Sequence, residues 1–99
     1  MKLVAVTSCP TGIAHTYMAA EQLEKTAKKL GHVIKVETQG SMGIENELSE
    51  EDIRSAEYVI FAAGIPVRNP ERFAHSRIVE VPVQDAIKNP ASVFERVGK

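Results

Sequence analysis

The sequence predicts an α/β protein, a three-layer sandwich in which a four-stranded parallel sheet carries helices on both faces. Two observations predict this class. Short apolar runs alternate with amphipathic helical patterns along the chain, and two of these runs are apolar without interruption, as is typical of strands buried on both faces. The chain has 99 residues, the length of one domain, so we assign residues 1–99 to a single unit.

The first strand and the first helix are the clearest elements. Residues 3–6 are continuously apolar, and residues 7–12 are typical of a turn. A long helix is predicted from residue 13 to residue 30, with Gly31 at its C-terminal end. The side chains predicted to face the core recur at helical spacing: Thr16, Ala19, Ala20, Leu23, Ala27 and Leu30.

The middle of the chain predicts one edge strand and one short helix. Residues 33–38 alternate in polarity, with Lys35 and Glu37 on the polar side, and the two glycines of residues 39–43 predict a loop. Ser49 and the acidic residue three positions later form a capping signature for a helix that ends near residue 55.

The last part of the chain repeats the alternation. Residues 58–63 form an uninterrupted apolar run and predict a second central strand, and residues 70–74 predict a single helical turn. A fourth strand is predicted at residues 78–81. A closing helix over residues 84–97 would be bent or broken at Asn89-Pro90, because proline cannot continue a helical hydrogen-bond ladder.

The predicted strand order is 2-1-3-4. The two uninterrupted apolar strands belong in the centre, and the two strands with polar residues belong at the edges. With right-handed crossovers, the chain winds one way across the sheet from the first strand to the second and then the other way to reach the third. This reversal opens a crevice at the carboxyl ends of the first and third strands. Ligands bind at such switch points, and Cys9 directly follows the first strand.

Composition and charge exclude several functional classes. A formal net charge of −1 argues against a nucleic-acid binder, which needs a basic surface to neutralise phosphates. No apolar run is long enough to span a bilayer. The single cysteine cannot form an internal disulfide, so we expect a cytoplasmic protein.

Cys9 begins a loop that leads into the N-terminus of the long helix. The unpaired first amides of a helix and its dipole form an anion site, and Gly12 allows the backbone to approach an anion closely. Such a setting lowers the pKa of a thiol and favours the nucleophilic thiolate. The hydroxyls of Thr11 and Thr16 and the ring of His15 could add hydrogen bonds to a bound phosphate.

Each of these residues also has a plainer interpretation. A lone cysteine is commonly a small buried hydrophobe. His15 could simply line the helix start, Thr16 could only pack, and Thr11 could only shape the turn. His32 and His75 lie in predicted surface loops, where we expect them to be solvated. We predict neither a metal site nor a cofactor, because three scattered histidines and one cysteine do not form a ligand set.

Residues 7–16, TSCPTGIAHT, closely resemble the cysteine loop of the fructose-type IIB domains of the bacterial phosphoenolpyruvate-dependent sugar phosphotransferase system. The likeness continues over residues 18–21 and 36–43 and resumes at residues 47–48, 52–53 and 72–73, so it spans the chain. It implies a sugar phosphotransferase in which Cys9 accepts a phosphoryl group from a phosphohistidine on a IIA partner. The phosphocysteine would then pass the group to fructose or a fructose-like sugar bound by a membrane IIC partner.

The resemblance also assigns the other site residues. The phosphate-binding loop would consist of Pro10, Thr11, Gly12, Ile13, Ala14, His15 and Thr16. Gln39, Gly40 and Ser41 would frame the crevice on one side, and the loop that contains Gly64 would frame it on the other. This chain departs from the family at Gly64, where an acidic residue is expected, so fructose is the default sugar and not an assignment.

A small cysteine-dependent phosphatase is the first alternative. Such enzymes also place a nucleophilic cysteine after a strand, but their loop ends with an arginine six residues later, and they use an aspartic acid as proton donor. Here His15 occupies the arginine position, and a histidine ring does not reproduce the planar fork of a guanidinium. The sequence also contains no Asp-Pro pair, in which that acid is often found.

A non-enzymatic module that binds flavin or phosphate is the second alternative. A Thr-Gly-rich loop after the first strand also suits a flavin phosphate in flavodoxin-like folds. The chain contains no tryptophan, and the Gly-x-Gly-x-x-Gly pattern of dinucleotide sites is missing at this turn. A yellow colour on purification would favour this alternative.

Overall fold

The structure is a computed structural model that describes residues 1–8, 13–40, 43–64, 67 and 70–97, with only the backbone described for Ile13 and Ala14. Strands and helices alternate along this part of the chain, except that β3 follows β2 directly and α4 follows α3 directly. The strands are β1 (Lys2–Ser8), β2 (Val33–Gly40), β3 (Gly43–Glu45), β4 (Tyr58–Ala63) and β5 (Ile78–Val81). The helices are α1 (Ile13–Lys29), α2 (Glu50–Ser55), α3 (Val83–Lys88) and α4 (Pro90–Arg96), with a 3₁₀ turn at Pro70–Phe73.

The sheet has the order β3-β2-β1-β4-β5. Its four parallel strands follow the predicted order, with β4 and β5 as the predicted third and fourth strands. The predicted count of four strands is wrong, because β3 pairs antiparallel with β2 at the edge. Gln39 and Gly40 belong to β2, and Gly43 begins β3 with a φ of 102°, a conformation that glycine adopts readily. A strand of three residues is too short to show a periodic pattern in the sequence.

β1 is longer than predicted, because Thr7 and Ser8 continue the strand and do not begin the turn. Both side chains are buried. The Thr7 hydroxyl donates a hydrogen bond to the carbonyl oxygen of Thr16 over 3.2 Å. This bond satisfies a buried polar group, and it ties the end of β1 to the start of α1.

Two apolar cores confirm that helices cover both faces of the sheet. Leu3 and Ala5 of β1 pack with α1, α3 and α4 on one face. Val4 and Val6 pack on the other face with α2 and the 3₁₀ turn. In the second core, Phe61 and Phe73 meet edge to face, with ring centroids 5.1 Å apart. Alternate residues of β1 therefore serve different cores, which explains why the strand is apolar without interruption.

Local signals determine the ends of several helices. The Ser49 hydroxyl accepts from the Asp52 amide, and the Ser49 amide donates to the Asp52 carboxylate, which confirms the predicted capping box. The predicted break at Asn89-Pro90 is confirmed, since α3 ends at Lys88 and α4 begins at Pro90. None of the described helices is long and apolar enough to cross a membrane.

Two side-chain predictions on this part of the chain are wrong. Leu30 is 51% exposed, because α1 ends one residue earlier, at Lys29, before Gly31 takes a positive φ of 82°. His32 is half-buried and not solvated, because its ring stacks on Phe94 of α4 with centroids 5.9 Å apart. His75 is exposed, as predicted.

Candidate functional site

Three neighbouring strands end together at the carboxyl edge of the sheet. Ser8, the last residue of β1, pairs with Gln39 of β2 on one side and with Ala63 of β4 on the other. The Gly64 amide donates a hydrogen bond to the Ser8 carbonyl oxygen over 2.8 Å. The chain leaves β1 toward β2 and later returns beyond β1 to β4, so this edge is a topological switch point. Cys9 follows Ser8 directly in the sequence.

The predicted site residues fall into three groups. Cys9, Pro10, Thr11, Gly12 and Ser41 lie outside the described residues. Ile13 and Ala14 are described as backbone in the first turn of α1. His15, Thr16, Gln39, Gly40 and Gly64 are described, and they lie at the start of α1 or at the carboxyl ends of β2 and β4.

The start of α1 presents one exposed and one buried site residue. His15 is exposed on the first turn, whereas Thr16 is only 1% exposed. The hydrogen bond from Thr7 to the Thr16 carbonyl fixes this turn over the end of β1. The first amides of α1 therefore begin beside the edge where Ser8 ends, a position from which a helix N-terminus can stabilise an anion.

Glu37 and Arg72 form an ion pair on the sheet face that α2 and the 3₁₀ turn cover. The sequence prediction missed this pair, because it placed Glu37 on the polar side of an edge strand. Glu37 is fully buried, and the Arg72 guanidinium of the 3₁₀ turn donates to both of its carboxylate oxygens, over 2.9 and 3.0 Å. The Leu48 amide donates to Oε1 over 2.9 Å, and the Gln39 side-chain amide donates to Oε2 over 2.7 Å. Four hydrogen bonds therefore compensate the cost of burying this charge.

These contacts determine the charge state of Glu37. Burial by itself would raise the pKa of Glu37, but the hydrogen bonds from Arg72, Leu48 and Gln39, together with the Arg72 charge, bring that pKa below its ordinary value. The hydrogen bond to Glu37 likewise raises the pKa of Arg72 above its ordinary value. Both groups are therefore charged at neutral pH. Two polar residues on one face of β2, Glu37 and Gln39, were the sequence signal for this cluster, but nothing local pointed to Arg72 as the partner.

The ion pair fixes the orientation of Gln39, which is only 2% exposed. An ionised carboxylate accepts hydrogen bonds and donates none, so the NH₂ group of the Gln39 amide must face Glu37. Gln39 lies beside Ser8 in the sheet, on the same face as Val4 and Val6. The polar cluster thus extends from the 3₁₀ turn to the residue that pairs with the end of β1.

Two further contacts hold β2 and β3 in place. The Tyr17 hydroxyl of α1 donates to the Glu45 carboxylate of β3, and this hydrogen bond raises the pKa of Tyr17 above its ordinary value. Lys35 of β2 and Asp52 of α2 form an ion pair with an N–O distance of 2.7 Å. Hydrogen bonds from Lys35 and then from Ser49 lower the pKa of Asp52 to about 2.

Two cavities border the second core. One has a volume of about 640 Å³ and lies at the carboxyl ends of β4 and β5, where Gly64, Val67 and Pro82 are among its lining residues. The other, of about 690 Å³, lies between α2 and residues 71–77 and is remote from the carboxyl edge, since it includes Glu57 and Arg77 before β4 and β5. Among the described residues, no group of three or more His, Cys, Asp or Glu side chains could hold a metal ion.

Known proteins resemble this chain over nearly its whole length. Residues 4–96 match the family model described as "PTS system, Lactose/Cellobiose specific IIB subunit". The PTS system fructose-like EIIB component 2 of Escherichia coli K12 is 51% identical over 96 residues, which cover 97% of this chain and 91% of that protein. The fructose-like PTS system EIIBC component of the same strain is 50% identical over 99 residues, which cover 98% of this chain but 20% of that protein.

The fold is likewise similar to a solved structure. The solution structure of the Enzyme IIB subunit of the PTS system from Escherichia coli K12 superposes with a TM-score of 0.91 at 42% sequence identity. The matched region covers 97% of this chain and 89% of that one.

Proposed function

Because the chain belongs to the IIB family of the sugar phosphotransferase system, we propose that it is a phosphoryl carrier that uses the thiol of Cys9. Family membership confirms the resemblance seen in residues 7–16. In this proposal residues 1–99 form one IIB domain. Cys9 accepts a phosphoryl group from a phosphohistidine of a IIA partner and passes it to a sugar bound by a membrane IIC partner.

One observation carries the proposal: Cys9 directly follows Ser8 at the switch point, and α1 begins four residues after Cys9. A thiol held before a helix N-terminus has a lowered pKa, so its nucleophilic thiolate is favoured. The same helix amides suit the oxygens of a transferred phosphoryl group. His15, exposed on the first turn, would add a donor at the rim of the site.

The proposed reaction has two displacements at phosphorus. First, the Cys9 thiolate attacks the phosphorus of the IIA phosphohistidine, the P–N bond breaks, and the imidazole nitrogen keeps the electron pair. Next, a sugar hydroxyl attacks the same phosphorus, the P–S bond breaks with its electron pair on sulfur so that the thiolate is restored, and the hydroxyl proton passes to water. The helix amides would stabilise the negative charge on the phosphoryl oxygens in both steps.

The names of the relatives support the proposed partners and sugar. Two relatives at 51% and 50% identity are called fructose-like, which supports fructose or a fructose-like sugar as substrate. The EIIBC component joins a region similar to this chain to a longer polypeptide, which supports a IIC partner. We expect the carrier to act in the cytoplasm, where its single thiol would stay reduced.

The alternatives find less support in the described residues. A cysteine phosphatase needs an arginine six residues after its cysteine, but this chain has His15 at that position, and Arg72 binds the buried Glu37. A flavin module would need aromatic rings that are free to stack at the carboxyl edge. Among the described residues, Phe61 and Phe73 pack against each other in the core, Tyr58 begins β4 at the opposite edge, and the Tyr17 hydroxyl is engaged by Glu45 of β3.

Mass spectrometry tests the proposal directly. The protein is incubated with phosphoenolpyruvate, the general phosphotransferase proteins and a fructose-type IIA protein, and the phosphorylated residue is then located in its peptides. We expect a phosphoryl group on Cys9, and none when the IIA protein is left out. Phosphorylation of another residue, or of none while a known IIB domain is phosphorylated in parallel, would refute the proposal.

A further inference from the structure

The ion pair between Glu37 and Arg72 reaches the candidate site through Gln39, and stability alone does not explain its presence. In the sheet register Glu37 lies beside Val6 of β1, and Val6 lies beside Phe61 of β4, so its immediate neighbours across the sheet are apolar. Buried ion pairs contribute little net stability, and apolar side chains of similar volume often replace them without loss. Filling this part of the core therefore does not require a carboxylate with four hydrogen bonds.

The hydrogen bonds run from Arg72 to Glu37 and from Glu37 to Gln39, which lies at the carboxyl edge. Arg72 and the Leu48 amide hold the Glu37 carboxylate in one orientation, because together they occupy both of its oxygens. That carboxylate in turn holds the NH₂ group of Gln39, which leaves the Gln39 amide one orientation. Gln39 pairs with Ser8, the residue before Cys9, so the hydrogen-bonded Gln39 amide belongs to the residue of β2 that lies directly beside the end of β1.

We propose that Glu37 and Arg72 are positioning residues that act through Gln39 to hold the Cys9 loop in the geometry required for phosphoryl transfer. This inference rests on the proposed function. Neither charge needs to touch the phosphoryl group. The pair fixes a neutral amide beside the nucleophile's loop, and because the pair is neutral overall, it places no net charge near an incoming phosphate.

The test compares variants that remove the hydrogen bonds between Arg72, Glu37 and Gln39 with a variant that removes a different ion pair of the same strand. Gln39→Leu removes the amide, and the double variant Glu37→Gln/Arg72→Met removes both charges, so that no buried charge is left unpaired. The control is Lys35→Gln, which removes the ion pair with Asp52 on the same face of the same strand, two residues before Glu37. Circular dichroism and thermal unfolding select conditions in which all variants are folded.

Phosphoryl acceptance from a phosphorylated IIA protein is the first measurement. In Gln39→Leu and in the double variant we expect the rate at saturating IIA to fall about 10- to 100-fold, the usual cost of misplacing a reacting group, with little change in the half-saturating IIA concentration. Lys35→Gln should transfer like the wild type. Transfer at the wild-type rate in both test variants, or an equal loss in Lys35→Gln, would overturn the inference.

The second measurement does not depend on phosphoryl transfer. Cys9 is the only cysteine, so the rate of alkylation by iodoacetamide reports the state of its loop alone. We expect this rate to change several-fold in Gln39→Leu and in the double variant, and to stay unchanged in Lys35→Gln. If the wild type accepts no phosphoryl group, the proposed function fails while alkylation still tests the positioning. If transfer occurs but alkylation is equal in all variants, the positioning inference fails.

Discussion

Removing Arg72 while leaving Glu37 in place should strongly destabilise the fold. In Arg72→Met the Glu37 carboxylate, which is 0% exposed in the wild type, loses two charge-assisted hydrogen bonds of 2.9 and 3.0 Å. Breaking a buried ion pair from one side costs about 3–5 kcal/mol, because the remaining charge is uncompensated. The Leu48 and Gln39 amides still bind Glu37, and the Arg72 side chain is 20% exposed, so we expect about 3 kcal/mol.

The pH dependence identifies the cause of this loss. The folded-state pKa of Glu37 lies below its ordinary value of about 4.3. The ionised Glu37 therefore contributes its full stability above that ordinary value, and this contribution is lost as the pH falls through the folded-state pKa. A protonated Glu37 no longer needs a cationic partner. The difference in unfolding free energy between wild type and Arg72→Met should therefore be full at pH 7 and shrink as the pH falls toward 3.

Urea unfolding followed by circular dichroism measures both effects. In a domain of this size, a loss of about 3 kcal/mol corresponds to a fall in melting temperature of roughly 12–24 °C. The double variant Glu37→Gln/Arg72→Met should recover most of the loss at pH 7, because it leaves no buried charge. Two results would refute the reasoning. One is a difference in unfolding free energy below about 1 kcal/mol at pH 7, which is the range of exposed ion pairs. The other is a difference that stays constant down to pH 3.

Four further predictions follow from the site and the fold. Cys9→Ser should abolish phosphoryl acceptance from IIA while leaving the circular dichroism spectrum unchanged, and a phosphorylated serine variant would contradict the mechanism. His15→Ala should lose phosphoryl transfer only in part, because the helix amides remain, and a complete loss in the same assay would assign His15 a larger role. Aryl phosphates should be hydrolysed negligibly, and rapid release of nitrophenol would favour a phosphatase. Asp52→Asn should destabilise the fold at pH 7, and this effect should shrink strongly as the pH falls from the ordinary aspartate pKa toward 2. The pKa of Asp52 is lowered to about 2, so its contribution is full above the ordinary value and is lost as the pH falls through 2; an effect that stays constant over this range would contradict the assignment.

Much of the architecture could be predicted from the sequence because its signals are local. The uninterrupted apolar runs of β1 and β4 result from burial on both sheet faces, and they sufficed to order the four parallel strands. The capping residues of α2 and the proline that begins α4 act on backbone groups within one turn of themselves. The cysteine loop was also a local signal, since a strand, a short glycine-containing loop and a helix follow one another directly.

The errors arose where distant segments meet. The strand β3 exists because it pairs with β2, and its three residues carry no pattern of their own. His32 is half-buried because Phe94, far along the chain, supplies the surface on which it stacks. Local polarity placed Glu37 on the polar face of an edge strand, yet Leu48 and the 3₁₀ turn cover that face, and β3 pairs along the edge of β2.

The sequence by itself determined most of the alternation of strands and helices, the order of the parallel strands and the place of Cys9 directly after β1, because each depends on residues close together in the chain. Only the tertiary structure decided that Arg72 lies against Glu37, 35 residues away, and that Gln39 lies beside Ser8. A charge is stable in the interior only where a specific partner meets it, and that meeting depends on the packing of the whole sheet and not on either residue's neighbours.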